Sequence, residues 1–166
     1  MRFLVLAGSL VFFCLPQTAN AFSDCSAPPE PGVDWSRCLL EGSNYPGAEL
    51  TGARLVDTRM QRINLEGAVL DDVRAEGAKF VDAKMAGASL KGADLRGADM
   101  TKVNLEGADL SGANLRRTRL FRANLRNAKL TGARLDQTDL LMADVTGATW
   151  TDGVRVCAEG SIGVCK

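Results

Sequence analysis

The sequence predicts an all-β fold, a solenoid wound in four-cornered coils. Three observations predict it. From about Ala48 to Trp150 the chain reads in fives: AELTG, ARLVD, TRMQR, INLEG and onward to ADVTG, without a slip of register. A small residue, usually Ala, opens each block, a large apolar residue, usually Leu, stands third, and Gly often closes it. A weaker period of twenty overlies the period of five. Thr58, Thr118 and Thr138, the three Thr at the small position, all fall in one twenty-residue column, and the closing column Arg62, Asp82, Lys102, Arg122, Met142 never uses Gly. An unbroken repeat fixes architecture before any local element is considered.

The period excludes ordinary elements. On an α-helix five residues advance about 500°, so successive leucines would stand roughly 140° apart and make no stripe. A straight strand fails as well, because an odd period turns every second Leu to the opposite face. Five and two are reconciled if the first and third residues point inward, the second points outward, and the fourth and fifth form a corner. Gly suits the positive φ that tight corners require. Corners repeated in one sense wind the chain around an interior of Ala and Leu. Four blocks per coil give about five coils between Leu50 and Trp150. At a strand spacing near 4.8 Å these make a rod about 25 Å long.

The blocks Ala93-Asp94-Leu95, Ala98-Asp99-Met100, Ala108-Asp109-Leu110, Ala113-Asn114-Leu115 and Ala123-Asn124-Leu125 closely resemble the pentapeptide-repeat family. The resemblance covers about 60 % of the chain. It implies a right-handed quadrilateral β-helix, with residues such as Leu95 central on each inner face and Ala93 beside it. Ile63, Val73 and Val103 enlarge the small position and Ala75 shrinks the large one, which predicts local bulges or altered turns.

Ahead of the repeats, Met1 to Ala21 have the form of a secretory signal. Arg2 is the one charge, Phe3 to Leu15 are an apolar core, and Ala19-Asn20-Ala21 is a small-x-small cleavage site. The run is too short for a spanning helix, so stable membrane insertion of the mature chain is not expected. The expected location is periplasmic or extracellular, and another exported compartment such as a thylakoid lumen also fits. Cys14 leaves with the signal, and four cysteines remain. An even count behind an export signal predicts disulfides. One pair precedes the rod and one follows it. Ends about 25 Å apart cannot be bridged, since the Cα atoms of a disulfide lie within about 7 Å. The expected bridges are therefore Cys25–Cys38 and Cys157–Cys165. Residues 22–47, with Pro28, Pro29, Pro31 and Trp35, read as an N-terminal cap, and 151–166 as a C-terminal cap, because a solenoid exposes apolar side chains and strand edges at its ends. Trp35 and Trp150 are placed to cover those ends.

Removing the signal takes only Arg2 from the 20 basic residues, leaving 19 against 20 acidic ones, net −1. That balance suits neither a nucleic-acid binder nor a strongly acidic imitation of one. With no His there is no His-based general base, triad or metal site. The carboxylate pairs Asp94/Asp99 and Asp71/Asp72 are explained by the repeat, and the recurrent Gly are corner residues. No catalytic residue, metal or cofactor is expected, and the chain does not read as an enzyme.

One surface breaks the monotony. Phe121, Leu141 and Met142 cluster beside the Gly-free column. Arg116, Arg117, Arg119, Arg122, Arg126 and Lys129 surround them, with no acid between Asp109 and Asp136. The bland reading is a turn variant with local packing under solvated arginines. The functional reading is a docking patch, an apolar centre with a basic rim, for an unidentified protein with an acidic surface or for an anionic glycan or lipid head group. The function expected from sequence is an exported scaffold for protein–protein interaction. The alternative, implied by the resemblance to the gyrase-protecting members of the pentapeptide-repeat family, is a topoisomerase-protecting mimic of DNA, which the neutral charge and the export signal disfavour. A monomer and an end-to-end dimer are both open.

Overall fold

A computed structural model describes residues 23–166. The signal predicted over Met1–Ala21, Cys14 included, lies outside the described residues. From residue 31 to residue 152 a two-residue turn recurs every five residues, and each intervening segment is a short extended piece. Each such piece pairs in parallel with the piece twenty residues on, from Asp34↔Arg54 to Lys129↔Thr149. A coil therefore has twenty residues, four faces and four corners. Face one is centred on Asp34, Arg54 and so on to Arg134. Face two runs from Leu39 to Asp139, face three from Asn44 to Asp144, and face four from Glu49 to Thr149.

Each block builds its own corner. The third residue's carbonyl accepts from the N–H of the next block's first residue, as in Ala98 N to Leu95 O at 3.0 Å. The fifth residue is left-handed, as at Gly97 (φ 65°). The second residue helps to end the extended piece. Asp or Asn there accepts from the backbone N–H two residues on, as Asp109 Oδ1 does from Ser111 N at 3.0 Å. This local bond competes with extension and favours a turn, which explains the Asp and Asn of the repeat.

The interior is filled by first and third residues. Ala93, Leu95, Ala108 and Leu110 are wholly buried. Three sequence expectations need correction. The solenoid begins at residue 31, not 48, so most of the predicted N-terminal cap is a coil. Val33, Trp35, Cys38 and Leu40 are its buried inward residues. Only residues 23–30 are irregular. Second, Ile63, Val73, Val103 and Ala75 cause no bulge, since the ladder at Asn64, Arg74 and Asn104 is regular. Val73, Ala75 and Phe80, all in one coil, are buried. Third, the Gly-free column makes no turn variant. Arg62, Asp82, Lys102, Arg122 and Met142 hold φ of 55–61°, the same left-handed corner that Gly makes elsewhere.

The threonine column has a physical reason. Thr58 Oγ1 donates to Trp35 O at 2.7 Å, Thr118 to Leu95 O at 2.7 Å and Thr138 to Leu115 O at 2.6 Å. A buried hydroxyl needs such an acceptor. The two ends differ. At the N-terminal end Trp35 is fully buried in the first coil, donates Nε1–H to Ala27 O at 3.2 Å and stacks on Tyr45. Cys25 and Cys38 are bonded, with Cα atoms 5.5 Å apart. At the other end residues 155–157 and 161–163 reverse direction and pair antiparallel with the last coil, Val156 on Thr149 and Ile162 on Asp144. Cys157 and Cys165 are bonded, with Cα atoms 4.8 Å apart.

Candidate functional site: the corner at Phe121 and Leu141

Phe121, Arg122, Leu141 and Met142 are corner residues. The coil period stacks 121 under 141 and 122 under 142, so the four occupy the corner between faces two and three. The sequence placed them on one face, but they form a ridge at an edge. Phe121 is half-buried, while Leu141 and Met142 are 64 % and 51 % exposed. The Arg122 guanidinium lies over the Phe121 ring, 5.1 Å from its centroid, a contact that holds the cation against the ring's negative face.

The basic rim is less basic than its sequence. Arg116 pairs with Asp136 at 3.3 Å, Arg119 with Asp99 at 3.2 Å, and Arg126 with Asp144 at 3.0 Å and Glu159 at 3.7 Å. Arg117 donates to Gln137 Oε1 at 2.9 Å. The absence of acids between Asp109 and Asp136 is a property of the linear chain. Stacking brings carboxylates from neighbouring coils onto these arginines. Their positions also spread: Arg116 and Arg117 stand at the corner between faces one and two, Arg119 on face two, Arg126 between faces three and four, and Lys129 on face four. Among the described residues no carboxylate pairs with Arg122, the cation adjoining the apolar ridge.

Elsewhere many polar side chains are committed to the coil. Asp94 holds Arg96 in a forked pair at 2.7–3.0 Å. Asp99 accepts from Thr101 Oγ1 at 2.7 Å, and Asp71 from Ser89 Oγ at 2.5 Å. Burial works to raise the Asp109 carboxyl, but hydrogen bonds from Ser111 and the charges of Lys91 and Lys129 outweigh it and hold the group below the ordinary value near 3.8. Asp94 is held low likewise, burial being outweighed by the hydrogen bonds and charge of Arg96. A cleft of about 430 Å³ is lined by Arg96, Gly97, Arg116 and Arg117, but Arg96 and Arg116 already have carboxylate partners. Among the described residues no three His, Cys, Asp or Glu side chains converge as metal ligands, and no helix is long and apolar enough to cross a membrane.

The family model for pentapeptide repeats matches residues 36–72, 78–117 and 118–149, in eight copies. Among solved structures, the chain is similar to a pentapeptide repeat protein of the Arabidopsis thaliana thylakoid lumen. The two are 28 % identical over 74 % of this chain and 83 % of that one, with a TM-score of 0.51. This likeness supports a right-handed β-helix. Weaker likenesses are to QnrB1, a plasmid-mediated fluoroquinolone resistance protein, at 17 % identity over 72 % of this chain and 64 % of that one (TM-score 0.47), and to HetL, a pentapeptide repeat protein of the cyanobacterium Nostoc involved in heterocyst differentiation regulation, at 28 % over 75 % and 70 % (TM-score 0.34). No curated protein matches the chain.

Proposed function

The chain belongs to the pentapeptide repeat family, and on that premise we propose that it is an exported, non-catalytic scaffold that binds a protein partner along the corner of Phe121, Arg122, Leu141 and Met142. One observation carries this reading: an exposed apolar ridge beside Arg122, which has no carboxylate partner, where Arg116, Arg119 and Arg126 of the same rim are each paired with one. Apolar area flanked by a stacked arginine is the composition of interface hot spots. A partner presenting an apolar groove edged by carboxylate fits it.

Export is supported by the form of Met1–Ala21 and by two disulfides, which persist in oxidising compartments. The likeness to a thylakoid-lumen protein points the same way. A scaffold without catalysis is supported by side chains whose hydrogen bonds serve the coil. The test is affinity purification with the mature, oxidised protein from its own exported fraction, repeated with a Phe121→Ala, Arg122→Ala double variant. The variant is expected to keep its β-type circular dichroism and lose the partner. Binding that survives would overturn the assignment to this corner. A cytoplasmic, uncleaved product would overturn export and favour a topoisomerase-protecting role instead.

A further inference from the structure

The corner between faces one and two holds a cleft for which the corner at Phe121 has no use. Successive coils stack Glu76, Arg96, Arg116 and Asp136 at its fourth position, and Gly77, Gly97, Arg117 and Gln137 at its fifth. Two glycines in succession open the space. At Gly77 the Asp57 side chain reaches up from the coil below, and a Cβ there would stand 2.5 Å from its Oδ1. Below Gly97 there is only Gly77, and a Cβ on Gly97 would meet nothing within 4 Å. One coil higher the column changes to Arg117. The cleft of about 430 Å³ lined by Arg96, Gly97, Arg116 and Arg117 has the size of a small-ligand pocket.

Its arginines are bonded in part and have donors to spare. A guanidinium donates from Nε and from both Nη atoms. Arg96 commits Nε and Nη2, in the fork to Asp94 and in a bond to Glu76 at 3.2 Å. Arg116 meets Asp136 through Nε alone, at 3.3 Å. Arg117 gives only its Nε–H, to the neutral Gln137 Oε1 at 2.9 Å. Nη1 of Arg96 and both Nη atoms of Arg116 and of Arg117 have no partner among the described residues. Charge is in surplus as well. Arg74 shares Glu76 with Arg96, so four arginines, Arg74, Arg96, Arg116 and Arg117, meet three carboxylates, Glu76, Asp94 and Asp136. Arg116 and Asp136 are 47 % and 62 % exposed, and an exposed pair of this kind holds its partners weakly.

From these observations, which stand independently of the corner reading, we propose that the cleft binds the phosphate monoester of a small soluble molecule. A phosphate oxygen set accepts from several directions, and guanidinium N–H groups recognise it with charge-assisted, often paired bonds. Near neutral pH a monoester carries close to two negative charges, its second ionisation falling at about pH 6. That charge suits three arginines better than a single one does. The fork to Asp94 and the bond to Gln137 hold Arg96 and Arg117 in place beforehand, which lowers the ordering cost of binding. Asp136, the exposed partner, is the group a bound phosphate displaces from Arg116. Volume beyond the phosphate takes a small organic body. The lining offers no apolar side chain to an acyl chain, so the phosphate is not that of a lipid in a bilayer. Phe121 and Arg122 do not line the cleft and stay accessible to a protein partner.

The experiment is calorimetric titration of the mature, oxidised protein with phenyl phosphate at low ionic strength. Phenyl sulfate, of the same shape with one charge fewer, is the comparison. Saturable binding of phenyl phosphate is expected, with phenyl sulfate about tenfold weaker. Arg117→Gly restores the residue that this column carries at 77 and 97, at a φ of 60° that suits Gly. It is expected to stay folded and to weaken binding about tenfold. Gly97→Asp sets a carboxylate in the cleft at a left-handed corner of the kind that Asp57, Asp72 and Asp82 already adopt. It is expected to keep its β-type circular dichroism and lose binding. Arg122→Gly is expected to bind phenyl phosphate as the parent does, which separates failure here from failure of the corner assignment. Phosphatidylcholine vesicles carrying phosphatidic acid are not expected to retain the protein. Absence of saturable binding overturns the proposal. So does equal affinity for phenyl sulfate, binding indifferent to Gly97→Asp, binding lost with Arg122→Gly, or retention on the vesicles.

Discussion

One coil apart, the same backbone positions live in different circumstances. Leu115 and Leu120 are fully buried and their N–H groups are bonded to the coil above. Leu135 and Leu140 hold the same places on the same faces, yet both are only half-buried and neither N–H is bonded among the described residues. The residues are alike, so the difference comes from neighbours. In a solenoid each coil supplies its neighbour's core and its neighbour's hydrogen bonds. A coil with one neighbour is half a structure, and the cap decides which half is repaired. At the C-terminal end the tail repairs faces three and four.

The largest effect that separates the regions is loss of core volume. Leu95→Ala in the middle of the rod should cost about 3 kcal/mol, through lost burial and a cavity held open by neighbours on both sides. Leu135→Ala should cost about 1 kcal/mol or less in the monomer, because the half-buried side chain already meets water. Denaturant midpoints measure both, and equal costs would break the contrast.

The caps come next. Replacing Cys157 and Cys165 by Ser opens a loop of sequence separation 8, and should cost about 2–3 kcal/mol on the chain-entropy account. The loss should appear as early fraying of faces three and four, which hydrogen exchange at Val145 and Gly147 would record.

A smaller effect acts on the corners. Lys102 pays for the left-handed φ of 59° that Gly adopts freely. Lys102→Gly should therefore stabilise the rod by roughly 0.5–1 kcal/mol. The reverse change at Gly77 should destabilise it, since a Cβ there would sit 2.5 Å from Asp57 Oδ1 in the coil below. Thermal melts of the two variants should move in opposite directions.

Acid should act mildly, through Asp94 and Asp109. Their folded pKa values lie below the ordinary 3.8. Their stabilising contribution is then complete above about pH 4, and is lost as pH falls through the depressed folded values. A pH series of melts should be flat from neutrality to about pH 5 and fall below pH 4. A fall beginning near pH 6 would contradict the assignment.

Much of this was legible in the sequence, because a period is a statement about neighbours in space. The period of five gave the corners, and the threonine and Gly-free columns indicated the period of twenty now seen in the bridges. Two things were harder to read. The first coil is disguised by Trp35, Cys38 and Tyr45 standing where Ala and Leu stand later, although Gly32, Gly42 and Gly47 already keep the phase. The arginine rim misled because charge was read along the chain. Down the column, Asp99 stands twenty residues before Arg119, and Asp136 twenty after Arg116. In a coil of twenty those are nearest neighbours. The half-open end could not be read from the pattern, because it depends on where the tail turns back.

Residue-resolved amide hydrogen exchange tests the central contrast most directly. In dilute solution the amides of Leu115, Arg117, Leu120 and Arg122 should be strongly protected, and those of Leu135, Gln137, Leu140 and Met142 should exchange freely. Equal protection of the two sets would contradict the account.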